Sequence, residues 1–370
     1  MTLINPNITA SGRRFIISWS ILLISFFVVM GTLSLIKVDE LKKNSAARHV
    51  ARMSATSIEA GRTNPELSLP AGSNPKKVQV GIYLDHIASV SISDNTWSPV
   101  FYLWFKWNDD TINPGETFDI IEGEVISKQK ISESHINGEH YVKYLIKAQI
   151  TKYFDSLRFP VDDHILTIVI EDGDLPWKSL EYIPDIANSN ISSRVKMPGF
   201  MVTNHSLIMK PHTYKTNFGD PRLTKNNHAT FSQHLYGVSV TRDGLGIYFK
   251  IFIGLFAAVS ISLLVFFIKP TDVDPRFGLG VGGFFGAVAN SLLSVSFVAD
   301  NGSLSLLDIV NNVGMISIFL TLVASTISLY FFDIRGEVHL SRSLDRVSFF
   351  IILISFTLIN IFIPILGSAQ

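Results

Sequence analysis

Five long runs of this 370-residue chain carry almost no charge, and such runs belong in hydrocarbon or in a very large core. The first, Phe15–Ile36, has no charge at all and follows Arg13 and Arg14. At 1.5 Å per residue, its about 22 residues cover the roughly 30 Å of a bilayer's apolar layer. It is longer than the core of a secretory signal, and no A-x-A site follows promptly, so an uncleaved anchor is expected. The other four runs crowd the end of the chain. They are Gly246–Ile268, broken only by Lys250; Phe277–Ala299, glycine-rich and uncharged; Leu304–Phe332, with Asp308, Asn311 and Asn312 near its start; and Val347–Leu366.

Composition agrees. Hydrophobic residues make up 47% of the chain and charged residues 17%, against about 25% charged in soluble proteins. That balance counts against a soluble enzyme and excludes intrinsic disorder. Thirty-one basic and thirty-one acidic residues cancel, so no net field points to nucleic acid as a partner. The absence of cysteine removes disulfides, thiolate nucleophiles, zinc fingers and iron–sulfur ligation together.

Orientation follows from lysine and arginine in the short loops. The loop with Lys269 and Arg276 and the loop with Arg335, Arg342 and Arg346 are basic; Asp300–Ser303 and the tail after Leu366 hold neither residue type. The basic loops and residues 1–14 are therefore expected in the cytoplasm, and residues 37–245 and the C-terminus outside. Lys37, Lys42, Lys43, Arg48 and Arg52 oppose this, but the large translocated domain that follows reduces their weight.

The expected domains are a cytoplasmic segment 1–14, an anchor 15–36, a linker 37–77, a β-domain 78–243 and a four-helix domain 244–370. Within the β-domain, Val78–Tyr83 alternates, and Val100–Trp107 is apolar on both parities, as in a strand covered on both faces. Runs ending at Ile136 and starting at Tyr141 flank Asn137-Gly138, a strong hairpin signal. Further strands are expected at Ile165–Glu171, Met201–Met209 and Ser232–Arg242. Many strands without helical periodicity between them predict an all-β sandwich. Pro65, Pro70, Gly72 and Pro75 mark the linker.

Catalytic motifs are missing: there is no G-x-S-x-G, H-E-x-x-H or P-loop, and neither enzymatic activity nor a cofactor is expected. His135 and His140 flank the Asn-Gly turn and are placed to meet as a metal pair, but a solvated pair is the plainer expectation, so no metal is assigned. Asp162-Asp163-His164 reads as a charged loop. Glu171-Asp172-Gly173-Asp174 suits a hard cation in composition but lacks EF-hand spacing.

Local motifs then resemble one family. Phe159-Pro160-Val161-Asp162 is similar to the F-P-x-D loop of the pentameric ligand-gated ion channels, the Cys-loop receptor superfamily. Trp104-Phe105-Lys106-Trp107-Asn108-Asp109 resembles that family's strand carrying W-x-D, Arg242 stands where it has a pre-membrane arginine, and Asn360 has a counterpart in the last helix. The superfamily cysteines would fall at Lys152 and Leu166, so the chain resembles the bacterial branch that lacks the disulfide. The resemblance covers roughly residues 78–366 of the chain.

The resemblance implies a homopentamer in a bacterial inner membrane, with membrane lipid, permeant ions and an unknown small molecule as partners. Ligand would bind between neighbouring sandwiches, at Tyr102, Phe118, Tyr214 and Phe231. Gly173 stands where amine receptors often have tryptophan, which speaks against a simple amine. Coupling from sandwich to pore would pass through Pro160 and an Asp162–Arg242 pair. A static ion pair is the alternative role for those two charges.

The second of the four helices would line the pore. Helical spacing puts Gly282, Gly286, Ala289 and Leu293 on one face, with Asn290, Ser294 and Phe297 on a neighbouring face and Asp300 at the outer mouth. Leu293 and Phe297 would make a hydrophobic gate, and Asp300 a cation-favouring ring. Gly278, Gly282 and Gly286 also fit a stripe that packs against another helix. Relatives often have proline at the position of Gly254, and usually a cleaved signal instead of an N-terminal span. The alternative function is a non-conducting receptor that signals through the N-terminal helix or a partner.

Overall fold

A computed structural model describes residues 5, 8–56, 68–69, 71–216, 219, 229–298 and 302–368. A β-rich region is followed by several long apolar helices. The helices are α1 (Ala10–Arg52), the single turn α2 (Pro114–Thr117), α3 (Gly244–Leu263), α4 (Val273–Val295), α5 (Leu306–Leu329) and α6 (Val338–Gly367). Among the described residues, five of these helical stretches are long and apolar enough to cross a membrane. The strands are β1 (Lys76–Ser91), β2 (Thr96–Trp107), β3 (Phe118–Ile121), β4 (Gly123–Ile136), β5 (Glu139–Thr151), β6 (Asp163–Asp172), β7 (Leu180–Pro184), β8 (Asn190–Ile191), β9 (Phe200–Thr213) and β10 (Thr230–Arg242).

Two compact units emerge. One holds the chain up to Lys43, Ser156–Asp162 and the chain from Asp243; the other holds Asn44–Asp155 and Asp163–Arg242. The β unit has two sheets, ordered β4-β5-β2-β1-β7 with β8 on β1, and β3-β6-β10-β9. Alternation in β1 turns Val78, Val80, Ile82 and Leu84 inward, and they share one hydrophobic cluster with Leu166, Ile168 and Ile170 of β6 and Tyr236, Val238 and Val240 of β10. Edge strand β4 is exposed along its length and carries Glu124, Lys128, Lys130 and Glu133, charges that discourage pairing with a further strand.

In the helical unit, α1 lies against α6. Trp19 Nε1 donates to Ser348 Oγ at 2.9 Å, and Phe15 meets Phe331 edge-on at 4.8 Å. Ser305 opens α5 with a capping box: its hydroxyl accepts from Asp308 N at 3.2 Å, and Asp308 Oδ2 accepts from Ser305 N at 2.9 Å. A buried polar ladder joins α4 to α5, in which Asn290 Nδ2 donates to Asn311 Oδ1 at 3.1 Å and Asn311 Nδ2 to Ser294 Oγ at 2.8 Å. Gly254 makes room for it, since a Cβ there would meet Asn290 Oδ1 at 2.8 Å.

Several boundaries differ from expectation. The apolar run 15–36 does not end its helix: α1 runs unbroken to Arg52, through the first part of the expected linker, with residues from Asn44 belonging to the β unit. Lys37–Glu40 and Lys43–Asp39 pairs support its polar continuation at helical spacing. Residues 57–67 and Pro70 of the expected linker lie outside the described residues. The last helix begins at Val338, so Arg342 and Arg346 sit on its first turns and not in a loop. Arg276 is likewise inside α4, where it is fully buried and paired with Asp345. Asp274, Pro275 and Arg276 hid the helical start near Val273, and an internal partner explains why a cation there is tolerated.

Candidate functional site

Two groups of side chains in the β unit carry binding chemistry, on different sheets. The first lies on β2 and β5. Their register pairs Trp104 with Lys143 and Lys106 with Tyr141, so alternation brings Tyr102, Trp104, Lys106, Tyr141 and Lys143 to one face. With Tyr83 and Asn188 they line an open depression of about 440 Å³. Lys143 Nζ stands 5.9 Å from the centre of the Tyr102 ring, a cation–π distance. Asp185 anchors the floor: its Oδ2 accepts from Trp104 Nε1 at 3.0 Å and from Lys106 Nζ at 3.2 Å. Burial opposes ionisation of Asp185, yet the hydrogen bonds from Trp104, Asn188 and Lys106 outweigh it and hold the carboxyl below its usual range. Lys106 is thereby paired with Asp185, and Lys143 adds a second cation to the depression.

The second group lies at the open end of the other sheet. Tyr214 follows β9 and meets Phe231 of β10 edge-on at 5.8 Å and His212 at 4.5 Å. Its hydroxyl donates to Glu171 Oε1 at 2.8 Å, and Gln233 Nε2 donates to Glu171 Oε2 at 2.7 Å. Burial pushes the Glu171 carboxyl up despite those two hydrogen bonds. Burial also raises Asp172, whose carboxylate accepts from Thr117 Oγ1 and from the backbone N–H groups of Asp174 and Leu175. Glu171 and Asp172 therefore direct their carboxylates to protein donors.

The expected ligand residues divide accordingly. Tyr102 belongs to the first group, and Tyr214 and Phe231 to the second. Phe118 belongs to neither: it is buried in the core against Phe105 at 5.2 Å and Tyr144 at 6.1 Å. Pairing of β3 with β6 sets this strand's inward parity, which spacing along the chain did not disclose. Spacing along the chain does not mark Lys143 or Glu171 as contacts for a small molecule; the Asn-Gly turn, which fixes the β5 register, carries the signal for Lys143.

Of the expected coupling residues, Pro160 and Asp162 belong to the helical unit and Arg242 to the β unit. Pro160 follows a cis peptide bond, and its neighbours Phe159 and Val161 join the apolar core formed by α3, α5 and α6. The loop also engages two helix ends: Leu306 N donates to Leu157 O at 2.8 Å, and Arg158 Nη1 to Gly367 O at 3.0 Å. Asp162 is buried, and Arg242 lies over the Phe200 ring at 4.0 Å. Asp163 and His164 do not form a charged loop. They open β6, where His164 is buried between Phe154 at 5.1 Å and Phe200 at 5.8 Å.

On α4, Gly282, Gly286, Ala289 and Leu293 are exposed, as is Phe297 just beyond its end, whereas Gly280, Gly283, Ala287, Asn290 and Ser294 are buried. Asn290 and Ser294 thus turn towards α5 and away from the face expected to hold them, because Asn311 offers them hydrogen bonds. The glycines in closest helix contact are also not those of the expected stripe. A Cβ at Gly283 would lie 2.0 Å from Ser262 Oγ, and one at Gly280 would lie 2.3 Å from Leu322, while nothing lies within 4 Å at Gly278 or Gly282. Gly286 is intermediate, with Ala258 Cβ at 3.3 Å. Asp300 lies outside the described residues.

A third cluster stands apart from these. His135, His140 and Asp110 converge at the tip of the β4–β5 hairpin, and spacing alone had shown only the two histidines. No protein-family model matches the chain, and no curated protein matches it.

Proposed function

We propose that the chain is one subunit of a homopentameric, ligand-gated ion channel of the bacterial type. Its two sheets would stack as a sandwich outside the membrane, and α3–α6 would form the four-helix bundle within it. The observation that carries this is the character of α4. As little of α4 is buried as of α1, yet α4 is the least apolar of the five spans. Helix α1 exposes Ile17, Ile21, Leu22, Val28, Val29 and Leu33, whereas α4 exposes a row of small residues beside Val281, Phe285 and Leu292. The surface of α1 suits lipid. An exposed row of Gly278, Gly282, Gly286 and Ala289 suits water or another copy of the same helix far better.

Five α4 helices around an axis would give that row an aqueous lumen, closed near Leu293 and Phe297 by dewetting. Asp300 would ring the outer mouth and favour cations. The ligand would bridge the two groups on different sheets, one from each of two neighbouring subunits. Lys143 suits an anionic end, and the aromatic pair Tyr214 and Phe231 suits a cationic end, so a small zwitterion fits better than a simple amine. Binding would shift the population towards a wider α4 ring. The basic ends of the helices would face the cytoplasm of a bacterial inner membrane, with the β unit and C-terminus outside and no nucleic-acid partner.

Purified full-length chain in planar bilayers tests this. Ligand-evoked single-channel currents, altered when Ala289→Cys is treated with a charged thiol reagent, are expected. Five-fold particle symmetry in detergent is the second requirement, and any other symmetry removes the proposal. One observation favours the alternative of a non-conducting receptor: α1 is a single unbroken helix with residues in both units. Five-fold particles that stay silent under every ligand, in wild type and in Ala289→Ser, would select it.

A further inference from the structure

The tip of the β4–β5 hairpin gathers groups that the channel function does not use. Asn137 and Gly138 form the turn with φ of 55° and 82°, and the register then sets His135 directly opposite His140. The two rings lie 4.0 Å apart at 60°, and their Nδ1 atoms face each other at 2.9 Å. The far nitrogen of His140, Nε2, lies 2.6 Å from Asp110 Oδ1, on the segment after β2. Trp107 stacks on the His140 ring at 5.1 Å and 14°, which fixes the plane of that ring. Each of the three residues offers a ligand atom within 4.8 Å of the others.

These contacts dictate a protonation pattern. A carboxylate at Nε2 accepts a hydrogen bond from it, so His140 carries its proton there and points the Nδ1 lone pair at His135. Two imidazole nitrogens this close must share a proton, supplied by His135 Nδ1. In the tautomer of His135 that carries its proton on Nε2, two lone pairs converge on one point. Tetrahedral zinc, with Zn–N of about 2.0–2.1 Å, spaces its ligand atoms roughly 3.4 Å apart, so small side-chain rotations suffice. A carboxylate behind a ligating imidazole is also the usual outer partner of a metal-bound histidine. Packing does not explain the arrangement, because the Asp110 side chain is 82% exposed.

We propose that this hairpin tip binds a divalent transition metal of the zinc type. His135 Nδ1 and His140 Nδ1 are the ligands, Asp110 is the positioning residue that orients His140, and water completes the shell. The ion takes the place of the shared proton, which moves to Nε2 of His135 so that the ring stays neutral. Two nitrogen ligands disfavour calcium and magnesium, which require oxygen. The site joins the hairpin to the segment after β2, and it does not depend on whether the chain conducts ions.

Zinc titrated calorimetrically into the full-length protein in detergent should fill one site per chain that calcium does not fill. His135→Ala and His140→Ala should abolish it, and Asp110→Asn should weaken it by about 10–100-fold. His86→Ala removes another exposed histidine, one whose own carboxylate partner Asp85 lies at 2.9 Å, and should change nothing. Copper bound to wild type should show spin coupling to imidazole nitrogen, a readout that needs no variant to fold. Equal zinc uptake by wild type and the His135→Ala, His140→Ala double variant, or a copper spectrum without imidazole nitrogen, overturns the proposal.

Discussion

Arg276 Nη2 donates to Asp345 Oδ1 at 2.7 Å, with the arginine side chain 0% and the aspartate side chain 6% exposed. The same guanidinium reaches Ser325 Oγ at 2.6 Å and Ile268 O at 3.3 Å, so one cation ties together α4, α5, α6 and the turn before α4. A buried charge is costly alone and tolerable when paired and fully hydrogen-bonded. Asp345→Asn should therefore destabilise the protein by about 3–5 kcal/mol. Arg276→Met combined with Asp345→Leu should recover much of that loss. Thermal unfolding in detergent, followed by size exclusion, checks both.

Adjacent glycines of α4 should respond oppositely to the same change. Gly283→Ala forces a methyl against Ser262 and against Ala258 O at 2.8 Å, a backbone atom that cannot rotate away. It should cost about 1–3 kcal/mol. Gly282→Ala meets nothing within 4 Å and should be neutral, or stabilising by up to about 1 kcal/mol through helix propensity. Equal losses at both positions in thermal unfolding would mean that another chain covers the Gly282 face closely.

Arg158 should matter more than its place in a loop suggests. It is buried and donates to Gly367 O, a terminal carbonyl of α6 that the helix itself leaves without a partner. Arg158→Ala should cost about 1.5–3 kcal/mol, the range for a hydrogen bond to a charged group. Hydrogen exchange should rise over the last turn of α6 and remain unchanged at its start.

His234 should set part of the acid limb of stability. Burial holds its imidazole down to about 3, against an ordinary value of 6.5. The unfolded chain takes up that proton first, so the contribution of His234 is complete above about 6.5 and is lost as pH falls towards 3. Glu171, whose carboxyl burial pushes up, has the opposite sign: its contribution is complete below the ordinary carboxylate value and is lost as pH rises through the raised one. Melting temperatures between about pH 4 and 7 should vary less in His234→Gln than in wild type. An unchanged slope would refute this assignment.

The proposed gate has a direct electrical test. Leu293 is 66% exposed, on the same row of α4 as Gly286 and Ala289. If five copies of Leu293 form the proposed gate, serine there would wet it and favour the conducting state. Leu293→Ser should raise the resting open probability in bilayer recordings, whereas Asn290→Leu should mainly lower stability, because Asn290 is hydrogen-bonded to Asn311 inside the subunit.

The apolar runs alone determined that five helices long enough to cross a bilayer would form, because some twenty largely uncharged residues in succession leave few other options. They did not determine how far α1, α4 and α6 extend beyond those runs. Alternation and the Asn137-Gly138 turn determined the β-rich middle and the β4–β5 register, since side-chain period and turn type are local properties. Local pattern, however, says which residues avoid water and not which residues they meet. Only the tertiary structure turned Asn290 and Ser294 towards Asn311, drew Phe118 into the core, matched Arg276 with Asp345 across 69 positions of sequence and brought Asp110 to His140. Each of those outcomes depends on a partner remote in sequence. Burial leaves polar groups no water to accept, so the partner that packing supplies decides where they point.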